Sequence, residues 1–191
     1  MIYLDSSALV KRYVQEPGSD AMDRLLADHP YAATSRLAYP EILSALNRKQ
    51  KAREFSARVL GELVKAFESD WGKLFILEFD DELLPIIKKA IHRHAVRGAD
   101  AVHLASALWL RSVLKEDVVF ACADANLLDA ARAERLVAYE LLLCRPISYV
   151  PIIHFFARSN SSRVTPPFFT SAISARVSAI ALSSLSALVP M

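Results

Sequence analysis

The sequence predicts an α/β fold built on a short, mostly parallel sheet. Three observations predict it. The chain opens on an apolar run, Ile2-Tyr3-Leu4, which stops at the carboxylate of Asp5 and passes into the helical pattern Ala8-Leu9-Val10-Lys11. The same arrangement returns at residues 118–122, which end at Ala123-Asp124 before another helical stretch. Between the two, short apolar runs alternate with segments of helical period, as expected when parallel strands are joined by crossover helices.

Each element has its own reason. Residues 2–4 suit a buried central strand. A helix over 8–14 is stopped by Glu16-Pro17-Gly18. Ser19 is placed as the cap of a second helix, in which Ala21, Met22, Leu25 and Leu26 recur at helical spacing as far as His29-Pro30. Residues 31–34 form a short strand candidate. The third helix opens near Ser35, with Pro40 in the first turn, where its missing N–H goes unfelt. It ends in the basic run 48–53. A fourth helix covers about 55–67, and 74–77 is the next strand candidate. Asp80-Asp81-Glu82 gives an acidic helix start that complements the macrodipole. That fifth helix reaches His94, with Pro85 in its first turn. Arg97-Gly98-Ala99 interrupts the pattern, and Asp100 opens a sixth helix over 101–113. A seventh runs from Asn126 to about 134, and 136–139 is a last apolar run. No internal repeat of fixed period is visible.

The chain has 191 residues, enough for one domain with a core of normal size plus an appendage. Its formal charge of +2 hides an asymmetry. Residues 1–144 carry all 21 acidic side chains against 19 basic ones, a net of −2. The remainder carries Arg145, Arg158, Arg163 and Arg176 and no acid, a net of +4. A mildly acidic body is not the footprint of a non-specific nucleic-acid coat. To handle a polyanion it needs a local basic patch or a metal ion. Cys122 and Cys144 make no disulfide framework and read as reduced thiols of a cytoplasmic protein. No signal peptide is expected at the start, which lacks a basic region and a long apolar one. From 144 to 191 Ser, Pro, Ala and Phe accumulate without clean periodicity. This segment is expected to be an appendage to a body of 1–143, poorly ordered or loosely helical, and a non-native extension is one reading of it. Residues 177–189 are too short and Ser-rich for a membrane span.

Four acids share a setting. Asp5 and Asp124 each follow a strand and precede a helix, while Glu41 and Asp100 each sit in the first turn of a helix. In a parallel sheet, strand C-termini and the following helix N-termini lie along one edge, where ligands bind. Taken singly, each acid also reads as a helix cap or a first-turn partner of the macrodipole. Taken together, four like charges at one edge call for a cation. Hard oxygen ligands of this kind suit Mg²⁺ or Mn²⁺ without His or Cys. Such an ion activates water and stabilises charge on a phosphoryl oxygen.

Four stretches carry a family resemblance: residues 2–11 (IYLDSSALVK), 40–46 (PEILSAL), 97–108 (RGADAVHLASAL) and 123–131 (ADANLLDAA). In this order they resemble the PIN domain, and within it the VapC-type toxin ribonucleases. The resemblance implies a PIN-like fold with an acidic pocket at the C-terminal edge of the strands, and Mg²⁺- or Mn²⁺-dependent endonucleolytic cleavage of RNA. It places Asp5, Glu41, Asp100 and Asp124 in the acidic quartet, with Asp5, Asp100 and Asp124 as metal ligands. It implies a cognate antitoxin, a homodimer and a cytoplasmic site of action. Ser6, Arg97 and Asn126 are the supporting or substrate-binding candidates. Cys122 stands two residues before the fourth acid, where the family often has Ser or Thr.

Other residues are assigned plainer roles. Arg48, Lys49, Lys51 and Arg53 read as a solvated helix end matching the dipole. His103, in an apolar helix, reads as a packed and hydrogen-bonded side chain, and Trp71 and Trp109 as core or interface. Two alternatives stand beside the nuclease. One is a catalytically silent module that binds a partner through apolar helix faces such as Ile42, Leu43 and Leu46. The other is an aspartate-based phosphatase, which wants a second Asp two residues after the first, where this chain has Ser7.

Overall fold

The computed structural model describes residues 1–141. The expectations for Cys144 and for the appendage 144–191 lie outside the described residues. The five strands are β1 (Ile2–Leu4), β2 (Ala32–Ser35), β3 (Phe75–Leu77), β4 (Val119–Cys122) and β5 (Val137–Glu140). They form one sheet in the order β3-β2-β1-β4-β5, and every pairing is parallel. The opening strand is therefore central, as its unbroken apolar run predicts: Ile2, Tyr3 and Leu4 are all fully buried.

Alternation along the strands divides the core. Ile2, Leu4 and Ala121 pack on one face, against Met22, Ile42, Leu46, Leu63 and Phe67. These come from α2 (Ser19–Asp28), α3 (Ala38–Lys51) and α4 (Ala57–Trp71). Tyr3, Phe120 and Cys122 pack on the other, against Ala90, Leu104, Leu110 and Leu127. These belong to α5 (Leu84–His94), α6 (Gly98–Leu114) and α7 (Ala125–Ala133). Two helical layers thus sandwich the sheet.

Several local expectations need correction. Ser35 ends β2 rather than opening the third helix, which starts at Ala38, and Asp80, Asp81 and Glu82 precede α5 without entering its first turn. The helix expected over 8–14 is instead a single turn, α1 (Ser6–Leu9), followed by a 3₁₀ turn at Val10–Arg12. Gly18, not Ser19, caps α2; its φ of 96° is a backbone that L side chains avoid. The Ser19 hydroxyl instead donates to the Val14 carbonyl and accepts the Glu16 N–H, closing the loop before the helix. Gly98 does not break a helix but starts α6, so Asp100 is its third residue.

Gly18 is required twice over. A Cβ there would also collide with the Leu141 carbonyl oxygen. Gly18→Ala is expected to destabilise the fold by about 1–3 kcal/mol. Thermal unfolding checks this, and an unchanged midpoint would show that the loop relaxes freely.

Candidate active site

The sheet edge at the C-termini of β1 and β4 gathers the acidic side chains. Asp5 ends β1, is 5% exposed and caps α1. Its Oδ2 accepts the Ser7 N–H at 2.9 Å and the Ser7 hydroxyl at 2.5 Å. The same hydroxyl accepts the Ala123 N–H at 3.0 Å, so Ser7 ties the ends of the two central strands together. Cys122 Sγ lies 3.6 Å from Asp5 Oδ2 and accepts the Asp124 N–H at 3.2 Å. Burial, and then the Asp5 charge, pushes the thiol pKa up, so it adds no negative charge to the edge.

Glu41, in the first turn of α3, accepts a short hydrogen bond from the Ser6 hydroxyl. His103 of α6 joins Glu41 to Asp5. Its Nε2 lies 2.8 Å from Glu41 Oε2, 3.1 Å from Ser6 Oγ and 3.8 Å from Asp5 Oδ1. Its Nδ1 lies 3.0 Å from the Tyr3 hydroxyl. Burial disfavours a charged imidazole here, but Asp5, Glu41 and Asp100 outweigh it and hold the His103 pKa above its ordinary value. Burial likewise works against Glu41 as a carboxylate. The hydrogen bonds from His103 and Ser6 prevail and keep its pKa below the usual range.

Asp100 and Asp124 form the second pair. Asp124 caps α7 by accepting the Leu127 N–H at 3.0 Å. Arg97, the residue before α6, lies between the two acids. Its Nε donates to Asp100 Oδ2 at 2.8 Å, and Nη2 lies 3.4 Å from both Asp100 Oδ1 and Asp124 Oδ2. The pairs share one electrostatic neighbourhood: Arg97 feels Asp100, Asp124 and Asp5, and His103 feels Asp5, Glu41 and Asp100. Arg97, Asp100, Asp124 and Asn126 line an open cleft of about 700 Å³, with His94 and Asp129 at its wall. Asp5 and Glu41 are not part of that lining.

His103 and Ser7 are the site residues that sequence reasoning missed. His103 is packed and hydrogen-bonded as expected, but its partners are the acids themselves. It lies three positions after Asp100, a spacing that puts both on one face of α6. That spacing was the available signal. Trp71 and Trp109 have the packed roles expected, whereas Lys49, expected to be solvated, is drawn into ion pairs. Lys49 bridges Glu16 and Glu54. Trp71 packs on Phe67 and Tyr39, and Trp109 Nε1 donates to Glu82. Among the described residues, no helix is long and apolar enough to cross a membrane.

A parallel sheet with carboxylates from four separate segments along its C-terminal edge defines a class: an acidic-pocket α/β domain. The particular family follows from comparison with known proteins. The PIN-domain family model matches residues 2–133, and the chain belongs to that family. It is 35% identical over 108 residues to ribonuclease VapC45 of Mycobacterium tuberculosis (strain CDC 1551 / Oshkosh), covering 56% of this chain and 75% of that protein. Ribonuclease VapC46 of Mycobacterium tuberculosis (strain ATCC 25618 / H37Rv) is 37% identical over 107 residues, 56% of this chain and 73% of its own length. Two solved structures share the fold at 16% identity. FitAcB from Neisseria gonorrhoeae aligns with a TM-score of 0.54 over 75% of this chain and 100% of its own. VapBC2 from Rickettsia felis, bound to a DNA fragment from their promoter, aligns with a TM-score of 0.51 over 73% of this chain and 98% of its own.

Proposed function

We propose that this chain is a metal-dependent endoribonuclease acting in the cytoplasm as the toxin of a toxin–antitoxin pair. The carrying observation is the pairing of Asp5 with Glu41 about His103 and of Asp100 with Asp124 about Arg97. The named activity of the VapC relatives supports the same reading. We place the nuclease body in residues 1–143.

The donor set fits a hard divalent cation. Four carboxylates face one guanidinium and one imidazole, so negative charge is in surplus even with His103 protonated. All of the acids offer oxygen, as Mg²⁺ or Mn²⁺ requires. Among the described residues, no three His, Cys, Asp or Glu side chains already converge as a complete ligand shell. Asp5, Asp100 and Asp124 would hold the ion, with water completing its coordination. Bound there, it supplies Lewis-acid stabilisation of phosphoryl charge and a more acidic water.

The other residues prepare this site. Ser7 fixes Asp5 Oδ2 and leaves Oδ1 toward His103. Ser6 and His103 keep Glu41 ionised and oriented, ready to bind the ion directly or through water, or to take a proton from attacking water. Arg97 and Asn126 line the cleft along which an RNA phosphate would approach. Ser7, bonded to Asp5, occupies the position where an aspartate-based phosphatase wants its second Asp. Exposed Phe79, Leu84 and Ile91 offer apolar surface to a protein partner, an antitoxin or a second copy.

The test is cleavage of RNA with Mg²⁺ or Mn²⁺, comparing wild type with Asp100→Ala. Full activity in the variant would remove the proposed mechanism. Partner binding without metal affinity would favour the silent interaction module. His103→Gln is expected to lower cleavage about 10–100-fold, as for loss of a group that orients metal ligands. Activity within twofold of wild type would reduce His103 to a packing role.

A further inference from the structure

We propose that Arg97 is a resident competitor for the cation: its guanidinium occupies the gap between Asp100 and Asp124 and must leave before an ion can take both carboxylates. The inference rests on the reading of this edge as a metal site. Mg²⁺ binds carboxylate oxygens at roughly 2.0–2.1 Å and Mn²⁺ suits the same oxygen donors. The guanidinium nitrogens sit 2.8 and 3.4 Å from the Asp100 oxygens and 3.4 Å from Asp124 Oδ2. The two cations therefore claim the same space and the same lone pairs.

The anchoring of the three side chains points to competition rather than to a clamp. Asp124 is pinned by its own helix through the Leu127 N–H. Asp100 is set by the first turn of α6 and is 17% exposed. Arg97 lies just outside the helix, its side chain is 76% exposed, and it forms ion pairs with both of these acids. An ion pair so open to water contributes little stability, since Coulomb attraction is screened and a long side chain must be ordered to keep it. Asp124 thus stays in place when the guanidinium swings away, and Asp100 keeps its backbone position in the first turn of α6. A structural clamp would behave in the opposite way, because the acids would drift apart without it.

Calorimetric titration of the full-length chain with Mn²⁺ alone separates the cases, using wild type, Arg97→Gln, Arg97→Lys and Asp100→Asn. Arg97→Gln is expected to bind Mn²⁺ about three- to tenfold more tightly than wild type, the scale of a removed surface charge pair plus a removed repulsion. Arg97→Lys, which keeps the charge but cannot span both acids, should fall between them. Raising the ionic strength should shrink the difference. Asp100→Asn should bind more weakly than wild type. If Arg97→Gln binds equally or more weakly while Asp100→Asn still loses affinity, the competition is overturned and the metal site stands. If no protein binds Mn²⁺, or Asp100→Asn binds as wild type does, the metal reading falls and this inference falls with it.

Discussion

Asp5→Asn is expected to leave the melting temperature within a few degrees of wild type and to lower RNA cleavage by about 100-fold or more. Asn caps a helix about as well as Asp, so the carbonyl oxygen of the variant can still accept the Ser7 N–H that Asp5 accepts. The variant loses charge at the oxygen that faces His103 and the proposed cation. A neutral amide is a much weaker ligand for a hard divalent ion than a carboxylate. It also presents an NH₂ donor toward the His103 imidazole, and it removes one of the charges that hold the His103 pKa above its ordinary value. Melting and cleavage must be measured on the same preparation. Cleavage within threefold of wild type would exclude Asp5 as a ligand; a collapse of the fold would show that its role is structural.

Phe67→Ala is expected to have the largest effect on stability, about 3–5 kcal/mol. Phe67 is fully buried and meets three aromatic rings, with centroid separations of 5.5 Å to Tyr13, 5.4 Å to Tyr39 and 5.4 Å to Trp71. Edge-on and tilted contacts of this kind add to simple area burial. Removing the ring leaves a cavity between α3 and α4 that rigid neighbours fill poorly. At roughly 2–4 °C per kcal/mol for a chain of this size, the midpoint should fall by about 10 °C. A fall below about 3 °C would show that the cluster collapses around the gap. Tyr39 precedes Glu41 by two residues, so any activity loss below the new midpoint reports how far the cavity disturbs that acid.

The architecture was legible because its signals are local. An apolar run ending at Asp5, and another ending at Asp124, give two parallel strands and the edge at which they finish. Glu41 and Asp100 were legible as first-turn acids, since helix starts lie on the same edge. What stayed hidden depends on contacts distant in sequence. Ser7 looked like a residue of the helix start, yet its hydroxyl serves Asp5 and the Ala123 N–H together. His103 looked like core, and it is buried, but a buried imidazole needs polar partners, and here they are carboxylates. Gly98 misled because glycine more often ends a helix than begins one.

The position of β1 has a consequence for synthesis. The strand at the centre of the sheet is made before the other four; β2 follows soon after, but its other neighbour, β4, comes much later. Asp5 and Cys122, 117 residues apart in sequence, touch in the finished protein. A nascent chain that has not yet produced β4 has no partner for one side of β1 and no Asp124. Pairing so distant in sequence forms slowly and late. The proposed cutting site is therefore assembled only after β4 has been made, and a product truncated before it carries the first acid without the fourth. An RNA-cleaving chain built this way has no complete acidic edge until most of the five-stranded domain exists.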